Sequence, residues 1–316
     1  MTNQIVQKAA MVARWAKILT GKTEVAVEQG PGKVYQVEQI AGYYNDLTGK
    51  VSPNTLVDSN GVPICVIAGG KKVHFPIAIF QYALGCWDIA LLDPNKSIEM
   101  LSKFERCADW ALNNQRADGS WDTFGPVGST KYSVSSMAQG EGVSVLLRAA
   151  KISNDNRYLT AAEQACRFML SPYERGGTSF LKGDYLFLEE YPQIPRRSVL
   201  NGWVFSLFGL YDLSLYNADY KQYFDRSAAT LALCLDDYDA GFWSYYDLQQ
   251  RLSSPAYHLL HIAQLKVLTQ LTGDVRFENK AAIYEGYQSN PTNRRKAILY
   301  KAKQKIFEES DAVILQ

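Results

Sequence analysis

Leu188-Glu189-Glu190-Tyr191-Pro192 is followed closely by Arg196, Arg197 and Leu200-Asn201-Gly202-Trp203, where an apolar helix opens. Two carboxylates, a phenol and two guanidiniums beside a helix start supply acid, base and anion-binding groups. A proline-ended surface loop with solvated charges accounts for the same residues equally well. A second cluster, Tyr245-Tyr246-Asp247-Leu248 and then Tyr257-His258, tips the balance toward chemistry if a helical fold brings both to one mouth. Phenols suit the removal and return of a carbon-bound proton. With a pKa of about 10, the phenolate is a stronger base than a carboxylate, and the neutral phenol returns a proton. Neighbouring guanidiniums are expected to lower that pKa. With 20 tyrosines in the chain, packing is the ordinary account of any single one.

Other constellations are weaker. Tyr132 to Gly142 carries Gln139 and Glu141 among Gly140 and Gly142; the glycines allow close approach of either a ligand or a neighbouring helix. His258 and His261 share a helical face, but with His74 as the only other histidine and no acidic partner they do not make a zinc site. His258, beside Tyr257, is read instead as a substrate contact or proton relay, and His261 as a hydrogen-bonded core residue. No GxSxG elbow, Walker sequence or dinucleotide glycine motif is present. The pairs Glu189/Glu190 and Asp236/Asp237 leave an inverting glycoside hydrolase open.

The elements that must position these groups recur. A glycine-aromatic segment precedes a very apolar helix, a short Asn/Asp turn and a more polar amphipathic helix. The copies are Gly119-Ser120-Trp121 with Met137–Ala150 and Asn156–Leu170; Gly177–Phe180 with Leu200–Leu213 and Asp219–Leu235; and Gly241-Phe242-Trp243 with Tyr257–Leu271 and Val275–Tyr287. They follow one another at roughly 60 residues, and each is a helical hairpin. Phe75 to Leu84, with Pro76 at a first helical position, predicts a buried helix covered by Ser97 to Gln115. The apolar helices are expected in an inner ring and the amphipathic ones outside, so Tyr191, Tyr246 and Tyr257 gather at one end. The competing arrangement is an open array of the same pairs with no shared mouth.

The 316 residues, 47% hydrophobic, can bury a sizeable core. A net charge of +1 gives no global field for nucleic acid. Five scattered cysteines without a CxxC pair predict reduced thiols. Ile5 to Leu19 reads as an amphipathic helix too charged for a secretory segment, and no stretch has the length of a membrane span, so the chain is expected to be cytoplasmic. The expected division is residues 1–73 as a helix and small β-rich region, 74–290 as the helical catalytic domain and 291–316 as a basic helix or tail.

The chain resembles the D-glucuronyl C5-epimerase family. The likeness rests on Phe75-Pro76-Ile77-Ala78-Ile79-Phe80-Gln81-Tyr82, Met137-Ala138-Gln139-Gly140-Glu141-Gly142, Leu188 to Pro192, Leu200 to Trp203 with Gly209-Leu210-Tyr211-Asp212-Leu213, Tyr246-Asp247-Leu248, and Tyr257-His258 with His261-Ile262 and Gln264-Leu265. Where the family carries a basic residue after Tyr-Asp-Leu, this chain has Gln249, with Arg251 two positions on. The resemblance implies a mainly α fold, an (α/α) barrel or toroid of helical hairpins with a small N-terminal β-rich part. It implies inversion at C5 of D-glucuronate to L-iduronate in a heparosan-like or heparan-type polysaccharide, without an organic cofactor; homodimerisation is compatible with it. A family calcium ion in the β-rich part has no evident ligand set in this sequence. Carried over by motif, Glu190, Tyr191, Tyr246 and Tyr257 are catalytic. Glu190 and Tyr257 form the opposed acid/base pair and the other two tyrosines relay protons. The expected substrate-binding residues are Gln81, Gln139, Glu141, Arg196, Arg197, Asn201, Arg251 and His258. A uronate lyase, which begins with the same proton abstraction, and a non-catalytic glycan-binding protein are the alternatives.

Overall fold

The computed structural model describes residues 29–67 and 69–307. The helix expected over Ile5–Leu19 and the last residues of the tail lie outside them. Four helical hairpins follow in order: α1 (Pro76–Leu92) with α2 (Ser97–Asn114), α3 (Ser136–Ser153) with α4 (Asn156–Leu170), α5 (Leu200–Tyr216) with α6 (Lys221–Leu233), and α7 (Pro255–Thr272) with α8 (Val275–Ser289). A last helix, α9 (Pro291–Phe307), packs on α8 and α7.

Burial separates an inner from an outer layer. Every residue of α3 from Ser136 to Ala149 is buried, and every residue of α5 from Leu200 to Ser214. A helix buried all round must be surrounded by others. The outer α4 buries only Tyr158, Ala161, Ala162, Ala165, Cys166 and Met169, one face at three- and four-residue spacing, and α2 does the same with Met100, Phe104, Cys107, Ala108 and Ala111. The inner helices adjoin in the order α1, α3, α5, α7, giving the expected (α/α) toroid.

Local chemistry sets the hairpin turns. Asn154 ends α3 in the left-handed region and Asp155 caps α4 by accepting from Arg157 N; Gly273 and Asp274, accepting from Arg276 N, do the same between α7 and α8. Pro76 and Pro255 stand at first helical positions, where no amide hydrogen is needed.

The expected β-rich part contains little regular strand. It has a two-residue hairpin, β1 (Cys65–Val66) with β2 (Lys72–Val73), and isolated bridges such as Pro31 with Asn45. Its main role is to fill the ring. Tyr43 and Tyr44 are fully buried, stacking on or edging Phe205 and Phe208 of α5. Trp87 Nε1 of α1 donates to Ala41 O at 2.9 Å, and Tyr35 OH donates to Gln270 Oε1 of α7 at 2.7 Å. The segment thus links the first and last inner helices. A second hairpin, β3 (Ser179–Lys182) with β4 (Tyr185–Leu188), replaces what the sequence shows only as a glycine-aromatic stretch, and delivers the chain to Glu189.

All five cysteines are free, and no helix among the described residues is long and apolar enough to cross a membrane. The inner helices α3 and α5 meet through glycine: a Cβ on Gly209 would lie 2.2 Å from Gly140 O. Both atoms belong to rigid backbone, so Gly209→Ala is expected to cost about 1–3 kcal/mol. Urea unfolding measures it; an unchanged midpoint would show that these helices can separate freely.

Candidate active site

At the N-terminal end of the inner helices lies a cavity of about 350 Å³, within the range of roughly 300–1,000 Å³ usual for ligand sites. All four inner helices line it, through Ile77 and Gln81, Met137, Asn201 and Phe205, and Tyr257 and Leu260. An open array with no shared mouth is thereby excluded. Loop residues Glu190, Tyr191, Tyr246, Tyr132 and Lys50 complete much of the wall.

The two neighbouring glutamates have different jobs. Glu189 accepts from Ser198 N at 2.7 Å and from Ser198 Oγ, which folds the loop leading to α5, while its own carbonyl accepts from Ser136 N at the start of α3. Glu190 instead lines the cavity, only 5% exposed, with Oε2 unpartnered. It packs so closely on α5 that a Cβ on Gly202 would lie 2.3 Å from that oxygen. Burial pushes its carboxyl up to about 7, against the pull of the Tyr191 hydroxyl and Arg197.

Asp247 organises the phenols from behind. Fully buried, it accepts from Arg251 Nε at 2.7 Å and lies 3.6 Å from Arg197 Nε. Arg197 faces the Tyr191 ring at 4.8 Å and Arg251 the Tyr246 ring at 5.3 Å. One carboxylate therefore fixes two guanidiniums, each supporting one tyrosine. Burial raises Asp247 to about 6 while Arg197 opposes the rise, so it is ionised at neutral pH. Leu200 N donates to Tyr246 O at 3.1 Å, which ties the Tyr246 loop to the start of α5.

Tyr246 and Tyr257 meet edge to face at 5.1 Å, and Tyr191 stacks on Phe124 at 4.9 Å. Although Tyr257 is 41% exposed, it lines the cavity, ringed by protein; desolvation, then Glu190, pushes its phenol up to about 12. Burial also holds Tyr191 and Tyr246 well above the usual phenol value, outweighing Arg197. Arg197 pulls both phenols down, as expected, but desolvation of the phenolate is the larger effect and leaves them above the usual value. The cavity therefore offers neutral phenols as proton donors and one carboxyl poised near neutrality as a base.

Of the other expected site residues, Gln81 and Asn201 line the cavity. Glu141 lies buried beside it, its Oε1 accepting from Gln81 Nε2 at 2.9 Å. Arg197 and Arg251 stand behind the tyrosine rings. The remaining three, Gln139, Arg196 and His258, are likewise not on the cavity wall. Gln139 is consumed by main chain, donating to Gly119 O and Ala165 O and accepting from Trp121 N. Arg196 covers the Phe187 ring at 3.6 Å. His258 is fully buried, stacked on Trp243 at 3.7 Å, with Nε2 donating to Tyr284 O and Nδ1 bonded to Ser244; burial lowers it to about 4, so it carries no charge for an anion. Gly140 and Gly142 serve packing, against α5 and Trp121 respectively. Among the described residues no three His, Cys, Asp or Glu side chains gather to hold a metal ion.

Sequence reading missed Asp247 as the anchor of both arginines, although it stands inside a quoted motif. Lys50 it missed entirely, for nothing in a turn-rich stretch marks a lysine as facing a cavity.

Residues 126–286 match the family model described as D-glucuronyl C5-epimerase C-terminus. A D-glucuronyl C5-epimerase of Caenorhabditis elegans is 31% identical over 217 residues, 58% of this chain and 34% of that protein. An uncharacterised protein of Methanocaldococcus jannaschii is 29% identical over 144 residues, 44% of this chain and 47% of that protein. The chain thus spans between a third and a half of these relatives' length. A solved unsaturated glucuronyl hydrolase of Bacillus sp. GL1 aligns with a TM-score of 0.41 and 18% identity, over 75% of this chain and 63% of that one. The family match takes in Glu190, the three tyrosines and the paired helices that hold them, and this chain belongs to the D-glucuronyl C5-epimerase family by its C-terminal region.

Proposed function

We propose that this chain inverts C5 of D-glucuronate residues in a heparosan-like polysaccharide, giving L-iduronate. The C5 hydrogen lies beside the ring carboxylate. When it leaves as a proton, the electron pair of the broken C–H bond spreads onto the carboxylate oxygens, and a proton added from the opposite face completes the inversion. The observation that carries this reading is a base and acids in one cavity, a carboxyl near pKa 7 at Glu190 and neutral phenols at Tyr257, Tyr246 and Tyr191. Glu190 takes the proton in one direction and Tyr257 returns one; the other two tyrosines relay protons to solvent. Family membership supports the same reading.

Incubation with heparosan in deuterated water tests it. Deuterium is expected at C5 without chain cleavage. Unsaturated ends absorbing in the ultraviolet would replace epimerisation by elimination, and cleavage without unsaturation would point to hydrolysis. Binding with no exchange at all would leave only a glycan-binding protein.

A further inference from the structure

A uronate drawn into this cavity brings a carboxylate out of water, and proton abstraction adds further negative charge to it. Such a group needs a cation at hand. The arginines of the site are committed elsewhere. Arg197 and Arg251 are held by Asp247 behind the tyrosine rings, and Arg196 lies over Phe187. Among the described residues lining the cavity, the cationic side chain is Lys50.

Lys50 ends a short 3-10 turn, Thr48–Lys50, that starts beside Asp46, whose Oδ1 accepts from Thr48 N at 3.0 Å. The turn lies directly on α1, where a Cβ on Gly85 would come within 2.4 Å of Leu47 O. The backbone that carries the ammonium is therefore seated on an inner helix. The ammonium itself forms no ion pair or hydrogen bond with a described residue. Its nearest electrostatic neighbour is Glu141, which burial, then Glu190, hold well above the usual carboxyl range even though Gln81 donates to it. Burial lowers the Lys50 pKa, as it does for a cation short of partners.

From this arrangement we infer that Lys50 binds the carboxylate of the uronate ring, so that the N-terminal segment, and not the helical toroid, supplies the anion-recognising group. The inference rests on the uronate reading above, because only a charged sugar needs such a group. It also bears on Glu141, which interacts electrostatically with Lys50 and is held by Gln81 Nε2 at 2.9 Å.

The test compares binding of a glucuronate-containing oligosaccharide with binding of its methyl ester, measured by calorimetry on wild type, Lys50→Met and Lys50→Arg, each first shown to melt as wild type does. Lys50→Met is expected to weaken the acid by about 10–100-fold and to leave the ester unchanged, with Lys50→Arg recovering most of the loss. An equal loss on acid and ester, or no loss on the acid, overturns the assignment, as does a wild type that binds neither. Because binding is read without turnover, a wild type that prefers the acid through Lys50 yet shows no deuterium uptake would overturn the epimerase reading while keeping Lys50 as the carboxylate site. Uptake that survives in Lys50→Met with unchanged affinity would do the reverse.

Discussion

Glu190→Gln is expected to reduce C5 exchange by about 10²–10⁴-fold, the usual contribution of a positioned proton-transfer group, with oligosaccharide binding retained. The amide keeps the shape that fits against Gly202 but cannot accept the proton. In the wild type the rate should rise as pH passes through about 7 in the direction where Glu190 takes the proton, and fall in the direction where it must already hold one. The two directions thus identify which ring face meets the carboxyl. The same substitution should change stability with the opposite sign. Between the ordinary value of 4.5 and about 7 the folded chain keeps a proton that the unfolded chain releases, so wild-type stability falls as pH rises across that window. Glutamine escapes this penalty. The variant's advantage in melting temperature should therefore grow from about pH 4.5 to about pH 7 and stay level above. An advantage that does not vary with pH would mean that Glu190 is not a desolvated carboxyl, and full turnover in the variant would remove it from the chemistry.

The toroid was legible because a helix surrounded by helices leaves an unmistakable record. Leu200 to Ser214 has almost no polar side to present, whereas Tyr158 to Met169 keeps its apolar residues on one face, and the alternation of the two kinds gives the layers. The short β-hairpin before Glu189 was not legible. Ser179–Lys182 and Tyr185–Leu188 are four residues each, too short for a period to emerge, and their register follows from packing on α6, where Leu186 N donates to Thr230 Oγ1 at 3.0 Å.

The site divides in the same way. Glu190, Tyr191, Tyr246 and Tyr257 stand in compact motifs beside inner-helix starts, so finding the helices places them at the cavity. Composition cannot tell a lining residue from one behind the lining. Gln139 and His258 have the right chemistry, but turning inward they meet carbonyl groups and Ser244. Arg197 and Arg251 point at a carboxylate, as a uronate contact would, yet that carboxylate is Asp247. Lys50 is the converse case: its position depends on the irregular segment folding back into the ring, a long-range event without a local signal.

Loss of either partner in the Arg148–Asp212 pair is expected to destabilise the chain by about 3–5 kcal/mol. Both side chains are fully buried, with Arg148 Nη1 donating to Asp212 Oδ2 at 2.6 Å. Tyr44 OH donates to the other carboxylate oxygen at 2.6 Å, and Arg148 also donates to Ala41 O and Gly42 O. Asp212→Asn leaves a buried guanidinium without its counter-charge; Arg148→Met leaves the carboxylate, and removes a donor from the carbonyls of Ala41 and Gly42 as well. Replacing both, Arg148→Met with Asp212→Leu, should cost less than the sum of the single changes because no charge is stranded. Recovery should stay incomplete, since Gly42 O has lost its donor in the double variant too. The pair has a functional reach because it pins the strip of main chain that ends at Lys50. Weaker binding of the acidic oligosaccharide, with the methyl ester little affected, is therefore expected in Arg148→Met at temperatures well below its melting point. Additive losses in the double variant, measured by urea unfolding, would show that the two groups do not act as a pair. Unaltered affinity in a clearly destabilised Arg148→Met would separate the pair's role in folding from any role in holding the carboxylate site.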